Sequence, residues 1–574
     1  MAVDIAELLR RNAALRHLED GELAAVAARM REQTVPGGQT LFAPGEAADT
    51  LYILKSGALG LFRPPHAGGQ PRLAGIISSG EMVGALGLLT RERRLYRVGA
   101  LRDSVVLSLS RAAFVALARR HPNAMLAAVQ IALERLLPGD EEDAKWQPRS
   151  FALLPFDGGL PARATAERLR AALAPFGDCL VIDSDLGRGH APGWYAEREA
   201  AVHFVLYVDD GDDPAWRDLC RRQADALLLL ADAREASVPW PDRDQLDAHA
   251  AMERPRHLLL LQPADAIIAG AARRWRASLE CRVQHHHLRD DGDVARLARL
   301  LARRSHGLVL SGGGARGFAA IGVIRALRQA GVEFDAVGGT SIGAIVGAGV
   351  ACAWDDARIY AANRHAFVDN NPLADWTLPL VAFSRGGRTC ELLREAFGER
   401  DIEDLPLPFF CVSANLTKGT AQVHREGPLW LWLRASSAVP GVLPPVLHDG
   451  DVFVDGAVIN NLPTDIMADD SLAEITACDI DADEVLEARI EGHALPNVWR
   501  QWQQRALRPD LLSILWRAGM VNAEGATEHR RALADRCLAP RLGGIGMLEW
   551  GAYDHAVDTG YRFACEVLGL TPRT

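Results

Sequence analysis

Residues Ala336-Val337-Gly338-Gly339-Thr340-Ser341-Ile342-Gly343, followed by the small-residue run Ala344–Ala351, decide how the chemistry-bearing part of the chain is organised. An apolar pair leads into glycines, a serine stands between Gly339 and Gly343, and helical character follows. This is GxSxG in a strand–turn–helix setting, where flanking glycines leave room for a strained elbow that presents a serine hydroxyl beyond the end of a strand. Ser341 is the candidate nucleophile, with Gly339 and Gly343 as its supports.

Upstream, the strand-like Gly307-Leu308-Val309-Leu310 runs into Ser311-Gly312-Gly313-Gly314-Ala315-Arg316-Gly317, and Phe318–Gln329 has helical character. A glycine-rich turn at a helix N-terminus aims N–H groups into open space where the helix dipole favours negative charge. It suits a bound phosphate or an oxyanion. A P-loop would end in Lys-Ser/Thr, which is missing here, and only Glu333 or Asp335 stands where a dinucleotide site places its acidic residue, so nucleotide chemistry is the weaker choice. A serine nucleophile needs a base. The downstream histidines, His365, His424, His448, His493, His529 and His555, have no setting that marks one out. Val452-Phe453-Val454-Asp455-Gly456-Ala457 instead puts Asp455 at the end of an apolar strand, where a close, desolvated carboxylate can accept the serine proton directly. The other reading of Asp455 is a turn cap.

Together, GTSIG around Ser341, the loop GGGARG and the DGA at Asp455 resemble the patatin-like phospholipases, serine acyl hydrolases with a Ser–Asp dyad and no catalytic histidine. The resemblance implies Ser341 as nucleophile, Asp455 as general base, and the Gly312, Gly313 and Gly314 amides with Arg316 as an oxyanion-stabilising loop; Gly317, Gly339, Gly343 and Gly456 support the motifs. It narrows to the neuropathy target esterase branch through Trp216–Asp225, His285-His286-His287-Leu288-Arg289, Ile402-Glu403-Asp404, Pro408-Phe409-Phe410, Arg434-Ala435-Ser436 and Asn460-Asn461-Leu462-Pro463. That branch implies release of fatty acid from lysophospholipid or phospholipid.

The first part of the chain carries closely spaced β signals at Thr40–Phe42, Leu51–Leu54, Ala58–Phe62, Leu73–Ile77 and Val105–Leu109, separated by Pro/Gly and Ser/Gly turns, which predicts a small barrel or jelly roll. It resembles a cyclic nucleotide-binding domain of the same branch. In that family a Glu binds the ribose and a Ser or Thr follows the phosphate-binding Arg; Ala85 and Arg97 stand in those places. Only Gly84 and Arg94 remain as effector-binding candidates, and nucleotide binding is expected to be weak or absent. Between this domain and the glycine loop, apolar runs alternate with helix-period segments, predicting a small α/β, Rossmann-like domain with a mostly parallel sheet and no cofactor. His285–His287 are adjacent and lack a second cluster, so no metal is expected.

The expected domains are 1–146 (cyclic nucleotide-binding-like), 147–305 (small α/β), 306–480 (patatin-like) and a helical region 481–574 packing on the catalytic domain. The 574 residues suffice for several cores: 49% are hydrophobic and 24% charged, which excludes a disordered chain. A net charge of −11 argues against nucleic acid as partner. Nine cysteines without a CxxC pair read as reduced thiols in the cytosol. The start of the chain has the pattern of an amphipathic helix and no apolar stretch reaches the roughly 20 residues of a membrane span, so membrane contact is expected to be peripheral. Asn370–Leu380, Trp430–Trp432 and Trp499–Arg508 are candidates for an acyl groove, for bilayer contact or for core. The leading expectation is a serine esterase acting on lysophospholipid or phospholipid. Its rivals are a sensor or scaffold with a vestigial hydrolase domain, and an acyltransferase or neutral lipase using the same serine.

Overall fold

A computed structural model describes the chain apart from residues 1–4, 13, 16–17, 64–71, 91–92, 122–146, 212, 241–253, 280, 471, 481–498, 500–524 and 574. Two compact units result, residues 1–264 with 274–298, and residues 265–273 with 299–574.

The first unit opens with a jelly roll. Two four-stranded antiparallel sheets face each other, with strand order Arg31–Val35, Ser104–Ser110, Thr50–Ser56, Met82–Val83 in one and Thr40–Phe42, Arg97–Ala100, Leu59–Arg63, Arg72–Ile77 in the other. Leu54, Leu59, Ile77, Val98 and Val106 fill the space between them. Helix Arg111–Arg120 follows and starts from a Ser110 side chain that accepts the Ala113 N–H.

The same unit holds a six-stranded, all-parallel sheet in the order Cys179–Ile182, Phe204–Val208, Ser150–Pro155, Ala226–Asp232, Arg256–Leu261, Gln284–Leu288. Its central strands are continuous apolar runs buried on both faces, the pattern that parallel sheets require. The last strand is the histidine run. Within this unit the turn Leu101-Arg102-Asp103 of the jelly roll is clamped by the α/β layer. Arg102 Nη1 reaches Glu199 Oε2 at 2.6 Å and Arg102 Nη2 lies 3.8 Å from Asp225; Asp103 takes Arg222 at 3.0 Å, and Arg254 donates to the Leu101 and Arg221 carbonyls, each at 2.6 Å. Burial alone would lower the Arg102 pKa, but Asp225 and Glu199 together outweigh it and hold it above its usual value. Arg254, with burial dominant, is pulled down to about 10.

The second unit is built on an eight-stranded mixed sheet. Its path runs Val446–His448, Asp451–Asp455, Phe409–Asn415, Ala336–Thr340, His306–Leu310, Glu474–Cys478, Arg536–Leu538, with Thr420–His424 paired to Phe409–Asn415. The five strands from Phe409–Asn415 to Arg536–Leu538 are parallel, and the other three pair antiparallel. Helix Ile342–Ala351 (IGAIVGAGVA) is buried at every position, which its alanines and glycines make possible against the sheet. Helix Ala319–Gln329 packs on helix Tyr553–Leu568 so closely that a β-carbon on Gly322 would lie 2.0 Å from the Val557 carbonyl oxygen, and one on Gly560 2.1 Å from that of Ala319. Of the region 481–574, helix Tyr553–Leu568 is described, while the stretch 481–524 lies outside the described residues apart from Trp499, which is exposed.

Two opposed effects meet at Gly322. Replacing a mid-helix glycine by alanine gains up to about 1 kcal/mol of helix propensity, whereas overpacking costs about 1–3 kcal/mol or more. The obstacle at Gly322 is backbone, so no rotamer change relieves it. Gly322→Ala is expected to destabilise the second unit by at least about 1 kcal/mol, read as a lower denaturant midpoint in equilibrium unfolding.

Candidate active site

The glycine loop and the serine elbow leave the carboxyl ends of two neighbouring parallel strands, His306–Leu310 and Ala336–Thr340, where open α/β sheets place their ligands. Ser341 has φ 56° and ψ −127°, a conformation that a residue with a β-carbon adopts only when its surroundings enforce it. Enforcement comes from three sides. The Ser341 N–H donates to Ser436 Oγ at 2.9 Å, and Ser436 Oγ in turn donates to the Val412 carbonyl at 2.6 Å. The Ser341 carbonyl accepts from Ala344 and Ile345 in the first turn of the helix. On the flanks, a β-carbon at Gly343 would lie 2.4 Å from the Ser311 carbonyl oxygen and one at Gly339 2.8 Å from the Ala344 nitrogen.

Asp455 arrives from two strands away. Thr340 pairs with Val412, and Ser413 with Asp455, so the carboxylate stands beside the elbow. Ser341 Oγ donates to Asp455 Oδ2 at 2.6 Å, while Asp455 Oδ1 accepts the Ala457 N–H at 2.9 Å. Asp455 is fully buried and Ser341 is 5% exposed. Asp455 thus accepts from the serine on one oxygen and caps the following turn with the other. Gly456 keeps the strands close, since a β-carbon there would lie 2.2 Å from the Val412 oxygen. Among the described histidines none bonds to Ser341: His365 pairs with Glu395, His448 lies beside Asp449, and His424 bonds to Ser413 at 2.7 Å. His493 lies outside the described residues.

In the glycine loop, one of the three expected donors already has a partner. Gly312 donates its N–H to Asn461 Oδ1 at 3.0 Å, and Ala315 donates to the Met547 carbonyl at 2.8 Å. The Gly312 amide is therefore engaged, and of the three expected oxyanion donors, Gly313 and Gly314 have N–H groups that bond to no described group. Arg316 is buried on the same turn, and Gly317 is pressed against Ile342, 2.1 Å from where a β-carbon would stand. Asp335 is structural: it takes Arg299 at 2.7 Å and the His306 N–H at 2.9 Å. Ser436, Asn461 and Met547 are site residues that spacing did not reveal. Ser436 and Asn461 lie in stretches that carry the resemblance, but nothing in them marked their contacts with the elbow and the glycine loop.

The remaining candidates fall elsewhere. Arg94 is buried, donates to the Gly84 carbonyl at 3.1 Å and the Thr50 carbonyl at 2.5 Å, and lies 4.2 Å over the Phe42 ring, with its pKa lowered chiefly by burial. His257 Nδ1 and His286 Nε2 are 3.1 Å apart in the parallel sheet and both are held neutral by burial, His257 down to about 4. No metal-ligating cluster occurs among the described residues, and no described helix is long and apolar enough to cross a membrane. Trp432 is core, stacked on His424 with 3.9 Å between ring centroids, and Trp430 donates to Glu399. A small, partly open apolar hollow lies beside the serine helix, lined by Ile345, Trp354, Phe367, Leu392, Leu393 and Phe397 among others.

Three family models match the chain: a cyclic nucleotide-binding domain over 32–121, a Neuropathy Target Esterase family P-loop like domain over 149–306 and a patatin-like phospholipase over 308–468. The unit carrying the elbow is thus of the patatin-like lipid hydrolase class. An uncharacterised NTE family protein of Mycobacterium tuberculosis is 32% identical, the match covering 99% of this chain and 97% of that one. The chain belongs to the NTE family. Patatin-like phospholipase domain-containing protein 7 of Mus musculus is 28% identical over 94% of this chain, which spans 45% of that longer protein. Among solved structures, the regulatory domain of Toxoplasma gondii PKA with cAMP is 25% identical over 20% of this chain and 42% of that one, with a TM-score of 0.19.

His424 gives the second unit a pH dependence. Burial, with a smaller push from His448, lowers its pKa to about 4. Between pH 6.5 and about 4 the unfolded chain takes up a proton that the folded one refuses, so stability falls as pH drops through that window, by up to roughly 3 kcal/mol. Denaturant midpoints at pH 7 and 4.5 should fall further for the native chain than for His424→Gln.

Proposed function

We propose that the chain is a serine acyl-ester hydrolase that releases fatty acid from lysophospholipids or phospholipids. The observation that carries this reading is the 2.6 Å hydrogen bond from Ser341 Oγ to Asp455 Oδ2 in a buried setting. The patatin-like class and the names of the mammalian relatives support a phospholipid substrate.

In this mechanism Ser341 Oγ attacks the acyl carbonyl while its proton passes to Asp455 Oδ2. The N–H groups of Gly313 and Gly314 receive the oxyanion, with Arg316 on the same turn. The tetrahedral adduct collapses, Asp455 returns the proton to the departing alkoxide, and the acyl group stays on Ser341. A water molecule, deprotonated by Asp455, attacks the acyl-enzyme; fatty acid leaves and Ser341 recovers its proton. The Ala457 N–H holds Oδ1, which keeps Oδ2 aimed at the serine. Asn461 contributes indirectly, by fixing the Gly312 end of the loop. We assign this chemistry to residues 306–480, with 1–146 and 147–305 as a regulatory module.

Fatty-acid release from lysophosphatidylcholine by the whole chain tests the reading. Ser341→Ala and Asp455→Asn should each lower turnover by on the order of 10³ or more at unchanged circular dichroism, and a fluorophosphonate should label the native chain but not Ser341→Ala. Full turnover in either variant, or no turnover on any acyl ester, sinks the proposal. Asn461→Ala should lower kcat by about tenfold or more with little change in KM, because it loosens oxyanion donors that act mainly in the transition state.

A further inference from the structure

Between Asp375 and Arg385 the chain reads Trp376-Thr377-Leu378-Pro379-Leu380-Val381-Ala382-Phe383-Ser384, with no charged residue. Trp376 is 63% exposed, Leu378 74%, Leu380 85% and Val381 67%. Four large apolar side chains in six consecutive positions face water, which folding alone does not favour.

The segment is nonetheless well anchored. Trp376 and Ser384 form an antiparallel bridge, and Thr377 donates its N–H to the Phe383 carbonyl at 2.9 Å. Asp375 clamps the base, accepting from Ser384 Oγ and from the Arg388 N–H. The result is a short hairpin whose tip is Leu378–Val381. Its return arm is tied to the site: Phe383 and Ser384 donate to the carbonyls of Gly441 and Val442, at 2.9 and 3.0 Å. That segment begins at Ala438, whose carbonyl accepts the Asp455 N–H, and its Val439 packs against Ala457.

We infer that hairpin 376–384 docks the catalytic unit onto a phospholipid surface, with Leu378, Leu380 and Val381 entering the acyl layer and Trp376 at the headgroup level. The inference rests on the lipid-ester reading above and names the surface from which that site draws its substrate. Size favours a lipid occupant over a second copy of the chain. The tip exposes at most roughly a few hundred Å² of apolar surface, below the about 800 Å² per partner of a stable protein interface, whereas a bilayer accepts a small apolar insertion of any outline. Charge agrees: the uncharged hairpin is followed at its base by exposed Arg385, suited to the phosphate level, while Trp376 has the amphipathic ring that interfaces favour.

The test uses the full chain and phosphatidylcholine vesicles. Cosedimentation should fall about tenfold or more in Leu378→Ser/Leu380→Ser/Val381→Ser. Brominated acyl chains should quench the native fluorescence more than that of Trp376→Phe. Hydrolysis of a water-soluble short-chain ester should stay unchanged in the triple variant, which also reports its folding, while hydrolysis of vesicle-borne lysophospholipid drops with binding. Vesicle binding that is absent in the native chain or undiminished in the triple variant overturns the proposal. So does a native dimer that the triple substitution dissolves without affecting vesicle binding. Hairpin-dependent binding by a chain that hydrolyses no ester overturns the hydrolase reading and leaves the docking surface standing.

Discussion

The backbone of Ser341 is the constraint on which the catalytic unit depends. A φ of 56° with ψ −127° costs a residue bearing a β-carbon about 1–3 kcal/mol, and it persists only where neighbours over-determine it. The neighbours here come from four separate stretches of chain. Ser436 takes the amide, Val412 anchors Ser436, Gly343 lets the Ser311 carbonyl come close, and Gly456 lets the Asp455 strand lie against Val412. The same contacts that hold the elbow bring the carboxylate to it, so geometry and chemistry are maintained together. Strand pairing does the rest, because Val412 faces Thr340 while Ser413 faces Asp455.

How much of this was legible in the sequence follows from how local each feature is. The elbow and the glycine loop are dictated by residues within a few positions of one another, so GTSIG and GGGARG could be read directly. Asp455 was legible as a strand-end carboxylate beside a glycine, and the resemblance singled it out over the histidines. The jelly roll and the parallel α/β sheet were readable from alternation and from continuous apolar runs. Donor–acceptor pairs between distant segments were not. No pattern around Asn461 announces that its side chain claims the Gly312 amide, and none around Met547 that its carbonyl caps Ala315. The aromatic run at Trp430–Trp432 was ambiguous because helical spacing alone does not separate core from surface. Trp432 turned inward onto His424, while the exposed apolar cluster lies in the hairpin after Asp375.

The first unit shows a different economy of polar groups. Arg94, an effector-binding candidate from the sequence, donates to the carbonyls of Gly84 and Thr50 and rests on Phe42. Arg102 is held by carboxylates of the α/β layer, 2.6 Å from Glu199 and 3.8 Å from Asp225. Its loss would leave Glu199 as a buried carboxylate without its ion-pair partner, a situation that costs about 3–5 kcal/mol in general. The jelly roll and the α/β sheet are therefore joined by ion pairs and hydrogen bonds at a turn of three residues.

The packing of helix Ala319–Gln329 on helix Tyr553–Leu568 also sets an order of events during synthesis. At about 5–20 residues per second, the ribosome needs roughly 10–50 s to make the second helix after the first has been made. Until then the glycine groove at Gly322 lacks its cover. Contacts at such sequence separation form slowly and leave sticky surface exposed in the meantime. The nascent second unit therefore keeps this face open until its last helix emerges, although the jelly roll and parallel sheet are synthesised ahead of it and have their own cores.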